Sequence, residues 1–321
     1  MSSTSSKRPI VDAHCDTWLK LLESGSRDFT KMDGHIDLER LLASPVGIQV
    51  FALFTPPRWG EDRGLRHLFR LITLAREVMA AHPQSLRPVH SRADVDGPGV
   101  GVLLAIEGLD VLGEDLDLLD LFFQLGVRSA ILTWNGRNRL ADGATNQESK
   151  GGLSRIGRQV IRRMGELGMV VDVSHLAERA FWDVLEETGG PLMASHSNAK
   201  ALCDHPRNLS DEQLKALGER RAVIGINFYS RFLTAEGDTT SEDLLRHMAH
   251  ILDVAGPGAV GLGSDWDGIE AWPVDLPGVA GMALLAERIR ARFADLAPGI
   301  LGDNFRRLFR EVLPEDQGGV L

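Results

Sequence analysis

The sequence is poor in cysteine, since only Cys15 and Cys203 occur among its 321 residues. Two cysteines so far apart exclude a disulfide framework of the kind that stabilises small secreted proteins. Long apolar runs are also missing: no window approaches the roughly 18 apolar residues that a membrane-spanning helix needs. Residues 1–8 are polar with no apolar stretch behind them, so we expect neither a leader nor an anchor, and a cytoplasmic location.

Positive charge is scarce relative to negative charge. The chain has 35 Lys and Arg against 45 Asp and Glu, a formal net charge of −10, which argues against nucleic acid or an anionic membrane as a partner. Hydrophobic residues at 43% and charged residues at 25% are ordinary values for a globular protein with a sizeable core. The oligomeric state stays open, with a homodimer among the options.

Apolar strand patterns alternate with amphipathic helix patterns along most of the chain. Strands buried on both faces are typical of parallel sheets covered by helices. The predicted strands are 10–18, 46–54, 100–107, 128–135, 169–175, 191–196, 222–228 and 259–265. The predicted helices between them are 37–44, 61–82, 116–125, 153–167, 178–187, 211–217 and 241–255.

Eight strands over roughly 250 residues favour a closed (β/α)₈ TIM barrel, with an open doubly wound sheet as the alternative. We prefer the barrel because polar residues gather at many strand ends, where barrels place their sites. The prediction is one catalytic barrel domain over 1–321, with a helical extension over about 278–313. The polar connections 135–152 and 270–277 are candidate lids or pocket walls.

Histidines and carboxylates follow the apolar runs at the predicted strand ends. Because side chains alternate along a strand, His14 and Asp16 should share a face, with Cys15 on the other as a packed thiol. A buried carboxylate such as Glu107 needs a metal or another cation. The set that would converge at the mouth of a barrel is His14, Asp16, Glu107, His175, His196 and Asp265.

Three histidines and three carboxylates exceed the ligands that one tetrahedral zinc takes. They suit two metal ions that share a bridging carboxylate, with Asp265 left over as a base. Asp267 is the alternative base, since strand alternation would put it on the same face. A single histidine at a strand end is more often structural, but several such ends together favour a metal site.

Seven short motifs stand at or near the predicted strand ends and in the tail. They are VDAHCDT at 11–17, AIEG at 105–108, DVSH at 172–175, SHSN at 195–198, PRN at 206–208, GSDWDG at 263–268 and LGDNF at 301–305. Together they resemble the membrane (renal) dipeptidase family of zinc dipeptidases. Other barrel hydrolases with two metals often begin with His-x-His and bridge the metals through a modified lysine, whereas this chain has His-x-Asp and no lysine at a predicted strand end.

The resemblance implies the roles of the metal ligands in a binuclear zinc site. His14 and Asp16 would hold one zinc ion, His175 and His196 the other, and Glu107 would bridge them. The ions would supply hydroxide near neutral pH and polarise the scissile carbonyl. The implied reaction is hydrolysis of dipeptides, including those with a C-terminal D-residue.

Two further roles follow from the same resemblance. Asp265 would be the base that takes the proton and passes it to the leaving amine. Arg207 would bind the terminal carboxylate of the substrate, for which a planar guanidinium is well suited. A surface arginine in a loop is the alternative for Arg207.

The chain departs from the better-known family members at one position. They have Leu-Thr-His after the fourth strand, where this sequence has Leu-Thr-Trp-Asn at 132–135. That histidine is thought to hold the carbonyl oxygen, so either Trp134 or Asn135 would replace it in substrate binding, or Trp134 is a pocket wall. Rival hypotheses are a binuclear hydrolase of other small amides or lactones, and a non-catalytic barrel that binds metal or ligand.

Overall fold

A closed parallel β-barrel forms the centre of the computed structural model, which describes residues 9–316. Eight strands close the barrel in the order β1, β2, β4, β5, β6, β7, β8, β9 and back to β1, which confirms the predicted (β/α)₈ architecture. The strands are β1 Ile10–Asp12, β2 Val46–Phe54, β3 Leu86–Pro88, β4 Val100–Glu107, β5 Val127–Ile131, β6 Val170–Asp172, β7 Met193–Ala194, β8 Val223–Ile226 and β9 Val260–Leu262.

Strand register brings the strand ends to one rim. Glu107, the last residue of β4, pairs with Phe54 of β2 and with Ile131 of β5. The short β3, which the sequence did not predict, pairs with the first residues of β4, before β5 begins. It extends the wall at the end of the barrel opposite Glu107.

Amphipathic helices cover the outside of the barrel. In the long α3, Leu68, Leu71 and Ile72 are buried at the spacing that the periodicity predicts, and the acidic residues Glu61 and Asp62 lie at its N-terminal end, where they suit the helix dipole. The helices are α1 Thr17–Glu23, α2 Leu38–Ala43, α3 Gly60–Ala81, α4 Asp117–Gln124, α5 Arg155–Leu167, α6 Glu178–Glu187, α7 Asp211–Glu219, α8 Ser230–Leu233, α9 Ser241–Ala255, α10 Met282–Phe293 and α11 Asn304–Val312. None of the helices within 9–316 is both long enough and apolar enough to cross a membrane.

The predicted bounds are right for β2, β4, α6 and α9, but several barrel strands are shorter than predicted. Regular strand ends at Asp12, Ile131, Asp172, Ala194 and Leu262, and the polar residues that follow lie in irregular backbone. The sequence pattern predicts longer strands because the residues just after these strand ends are still buried. The predicted outer bounds of the domain, 1 and 321, lie outside the described residues.

The last helix, α11, closes the N-terminal end of the barrel. Phe305 and Phe309 are fully buried and pack in one cluster with Val11, Ile48 and other side chains of the barrel interior. Phe305 lies directly on Gly261, where a Cβ would approach its ring to 2.3 Å. This end of the barrel is therefore packed solid, and the opposite end remains for a site.

Replacing Phe305 with alanine should lower the free energy of unfolding by about 3–5 kcal/mol, because it leaves a cavity among side chains that cannot collapse into it. Urea unfolding followed by circular dichroism measures the loss. Leu296→Ala is the control, since Leu296 is 40% exposed and should cost under about 1 kcal/mol. Equal losses in the two variants would contradict this role for α11.

Candidate metal centre

A cavity of about 360 Å³ lies at the carboxyl ends of the barrel strands, the end at which barrel enzymes place their sites. Its walls include Asp16, Glu107, His175, Arg207 and Asp265. The other lining residues are Leu19, Phe54, Trp134, Asn135, Tyr229, Phe232, Asp267, Gly268, Ile269 and Glu270.

His14 and Asp16 lie in the connection between β1 and α1, and Asp16 lines the cavity. The two side chains lie on one side, as predicted, with His14 Nε2 3.6 Å from Asp16 Oδ2, but the strand is shorter than predicted: β1 ends at Asp12 and Asp16 is the N-cap of α1. The Asp16 side chain makes no capping hydrogen bond, so its carboxylate is directed to the site. Cys15 is fully buried in the cluster between barrel and helices, as predicted for a packed thiol.

Hydrogen bonds join the first and last strands beneath these residues. The Asp12 carboxylate accepts from Ser264 N at 2.8 Å and from Ser264 Oγ at 2.6 Å. Asp265 N donates to His14 O at 3.0 Å, and Asp16 N donates to Trp266 O at 2.8 Å. The two ends of the barrel sequence therefore meet at the site.

His175 and Asp265 occupy the left-handed region of backbone conformation, with φ of 65° each. Non-glycine residues adopt it rarely, and it clusters at functional sites. Asp267 also has a positive φ, of 68°, so the backbone from Asp265 to Asp267 is not a regular strand, although both residues line the cavity. The buried carboxylate of Asp267 accepts from Thr17 Oγ1 and His35 N, each at 2.7 Å.

The six predicted side chains converge on one another. The two Glu107 oxygens face different partners: Oε1 lies 3.0 Å from His175 Nε2 and 3.7 Å from His196 Nε2, and Oε2 lies 3.7 Å from His14 Nε2. His14 Nε2 is 3.6 Å from Asp16 Oδ2. Donor atoms lie within 4.8 Å of one another in three sets: His14, Asp16 and Glu107; Glu107, His175 and His196; and His14, His196 and Asp265.

Neighbouring polar groups orient these donors. His175 Nδ1 lies 2.8 Å from Asn135 Oδ1, and His196 Nδ1 lies 2.7 Å from Ser195 Oγ. With both Nδ1–H groups donating to those oxygens, the two Nε2 lone pairs face each other at 2.9 Å beside Glu107. In this tautomer both Nε2 lone pairs are directed as the ligands of a metal ion would be.

The pKa shifts have the same implication. Burial lowers the pKa of His175 to about 3, with the Arg207 charge adding to the effect, and burial holds the pKa of His196 well below its usual value, so both stay neutral as metal ligands must be. For His14, burial is outweighed by Glu107 and Asp16, which raise its pKa well above normal. Glu107 and Asp16 therefore create a negative potential at His14, which favours a positive charge there, whether a proton or a metal ion.

Buried donor atoms fit divalent metal ions. His14 Nε2 is buried and has no hydrogen-bond partner among residues 9–316. Burial, and the carboxylates of Asp16 and Glu107, raise the pKa of Asp265 to about 8 against the opposing effect of His14, as expected where carboxylates crowd together without a cation. Imidazole nitrogens combined with carboxylate oxygens form a donor set typical of zinc.

The profile of the membrane dipeptidase family, peptidase family M19, matches residues 2–316. The chain belongs to this family. Membership makes it a metallo-dipeptidase, a hydrolase that works with metal ions, as the resemblance predicted.

Curated and solved relatives agree with this membership. Dipeptidase aclJ of Aspergillus oryzae is 31% identical over 95% of this chain and 78% of its own length. The crystal structure of a metallopeptidase named dipeptidase AC is 28% identical, with a TM-score of 0.88 over 96% of this chain and 99% of that one. A metallopeptidase of Rhodobacter sphaeroides, solved with a phosphinate mimic of L-Ala-D-Ala, is 27% identical, with a TM-score of 0.88 over 95% and 99%.

Three predicted substrate-binding residues also line the cavity of this dipeptidase. Arg207 is buried, Nη2 donates to His196 O at 3.2 Å, and its Nε has no hydrogen-bond partner within the described chain. Burial lowers its pKa to about 10, so it stays charged at neutral pH. Trp134 is 37% exposed and contacts Phe54, and Asn135 is bonded to His175.

Other residues at the centre were missed by the sequence interpretation. Asn227 donates from Nδ2 to Asp265 Oδ2 at 2.9 Å, and it follows β8 directly, so the rule applied to the other strand ends would have found it. Asp172, inside a quoted motif, accepts from Ser174 N and Ser195 N. Only the folded chain reveals that it supports the serine next to His196.

Proposed function

We propose that the centre holds two zinc ions and that the enzyme hydrolyses dipeptides, including those with a C-terminal D-residue. The observation that carries the proposal is Glu107, whose two oxygens face different histidine partners. The mimic of L-Ala-D-Ala bound to the Rhodobacter sphaeroides relative supports the D-residue.

Five side chains would hold the ions. His14 and Asp16 would bind one, His175 and His196 the other, and Glu107 both, which gives each ion nitrogen and carboxylate donors. Ions bound there supply Lewis acidity and lower the pKa of water toward neutrality. The Asn135 and Ser195 contacts fix the orientation of the histidine rings.

Asp265 is the proposed general base. Its Oδ1 lies 3.9 Å from His14 Nε2, at the edge of the donor set, while Oδ2 is held by Asn227. From there the carboxylate takes a proton from the attacking water and delivers it to the departing amide nitrogen. Asp267 is a weaker candidate because its carboxylate is already bonded to Thr17 and His35.

Asn135 and Trp134 are proposed to contact the scissile part of the substrate. Asn135 accepts from His175 through Oδ1, which leaves its Nδ2 without a partner in the described chain and able to donate to the carbonyl oxygen. Trp134 packs on Phe54 and forms an apolar wall. This division replaces the family histidine with an amide donor and an aromatic surface.

Arg207 is the proposed partner of the substrate carboxylate, and a dipeptide panel with Arg207→Ala tests the substrate class. Zinc-replete enzyme should cleave dipeptides with L- and D-residues at the C-terminus. The Arg207→Ala variant should raise KM by about 10- to 150-fold, which corresponds to the loss of a charge-assisted hydrogen bond of about 1.5–3 kcal/mol.

Dipeptide amides, which lack the carboxylate, are the matched control, and Arg207→Ala should leave their KM unchanged. A wild-type enzyme that cleaves no dipeptide but opens lactones or N-acyl amides would contradict the proposed substrate. Zinc content, measured on the same preparation, should approach two ions per chain.

A further inference from the structure

One wall of the cavity runs from the buried guanidinium of Arg207 to the solvent. The guanidinium carbon lies 5.6 Å from the ring centre of Phe232, whose ring centre is 4.8 Å from that of Tyr229. The Tyr229 hydroxyl donates to Glu270 Oε1, and the Glu270 side chain is 65% exposed. Glu270 therefore stands at the rim, on the same side of the cavity as Arg207.

Glu270 differs from the other acids of the cavity in what surrounds it. Asp16, Glu107 and Asp265 point at the metal centre, and the Asp267 carboxylate is bonded to Thr17 and His35. Both polar contacts of Glu270, from Tyr229 Oη and from Arg231 Nη2 at 3.6 Å, go to Oε1. Oε2 has no partner among residues 9–316.

The neighbours of Glu270 hold its carboxylate in place through Oε1. Burial and the Glu270 carboxylate raise the pKa of Tyr229 to about 12, so the phenol keeps its proton and remains the donor. Arg231 is 71% exposed and reaches only Oε1, at 3.6 Å, so it weakens the negative charge of Glu270 without covering Oε2. A long cationic side chain that leaves the cavity along this wall would meet Oε2 at the rim.

We propose that Glu270 selects dipeptides whose C-terminal residue has a long cationic side chain, such as lysine or arginine. The inference rests on the proposed function, because Arg207 must hold the substrate carboxylate to place the C-terminal residue against this wall. An acidic side chain at that position would be repelled by Glu270, and a neutral one would gain nothing from it.

The test compares Ala-Lys with Ala-Gln, substrates of similar length that differ in charge. In the wild type, kcat/KM for Ala-Lys should exceed that for Ala-Gln, and Glu270→Gln should reduce this ratio by about two- to fivefold, the range of an exposed ion pair. Arg231→Gln should raise the ratio, because it removes the competing cation. Added salt should lower the ratio in the wild type and not in Glu270→Gln.

Glu186→Gln is the matched control, because it makes the same change in net charge at a residue that is exposed on α6 and does not line the cavity. The kcat/KM ratio of Lys-Ala to Gln-Ala tests whether the effect belongs to the C-terminal residue, and Glu270→Gln should leave that ratio unchanged. If dipeptides are cleaved but Glu270→Gln leaves the kcat/KM ratio of Ala-Lys to Ala-Gln unchanged, or changes only the ratio of Lys-Ala to Gln-Ala, this inference is overturned and the proposed function is not. If no dipeptide is cleaved, both the proposed function and this inference are contradicted.

Discussion

Replacing Glu107 with glutamine is expected to abolish metal retention and, with it, peptidase activity. The carboxylate is buried at the end of β4, and its two oxygens lie beside three histidine Nε2 atoms. A glutamine has one acceptor oxygen and no charge, so it cannot bridge two ions or balance their charge. Loss of a group that only orients a ligand costs about 10–100-fold in metal affinity, and loss of the bridge should cost more.

Metal content of the purified variant, by plasma mass spectrometry, and kcat/KM on a dipeptide measure the effect of Glu107→Gln. Glu186→Gln on α6 is the control and should keep both values. A Glu107→Gln protein that retains two ions per chain would contradict the bridging role. A folded variant, shown by an unchanged circular dichroism spectrum, separates metal loss from unfolding.

The Asp265→Asn variant should keep its metal ions and lose about 10²–10⁴-fold in kcat, the usual contribution of a general base. Asparagine tolerates the positive φ at this position and can still accept from Asn227, so the backbone and the hydrogen bond should persist. KM should change little, because the lost proton transfer acts in the chemical step.

Asp267→Asn is the companion variant for this test. It should lower thermal stability, since its carboxylate holds Thr17 and His35, and should leave kcat within a few fold. The reverse result, with Asp267→Asn inactive and Asp265→Asn active, would move the base to Asp267. Together, Glu107→Gln with its control and Asp265→Asn with Asp267→Asn distinguish a residue that binds metal from one that transfers a proton.

The barrel and the six side chains that converge at its rim could be predicted because burial leaves a strong signal. Strands β2 and β4 are covered on both sides, so their sequences are nearly continuous apolar runs, and a charged residue such as Glu107 at the end of one is conspicuous. The same contrast identified His175, His196 and Asp265. Local sequence sufficed there because each residue directly continues a buried segment.

The geometry that joins these residues could not be predicted from alternation. The chain leaves strand conformation before His14, His175 and Asp265, and left-handed backbone at the last two depends on packing by distant segments. The short β3 lacks the length that gives a periodic signal. Asn135 and His175 are 40 positions apart in sequence, so their contact forms only in the folded chain.

The hydrogen bonds between Asp12 and Ser264 have a consequence for the order of events during synthesis. These residues stand 252 positions apart, so the ribosome releases almost the whole chain before the first strand can meet the last. Until then Asp265 cannot approach His14 and Asp16. Bringing the two ends of the chain together also costs loop-closure entropy. A chain interrupted before β9 would contain five of the six donor residues but not the hydrogen bonds between Asp12 and Ser264 that align them. Stable metal binding should therefore be among the last steps of maturation.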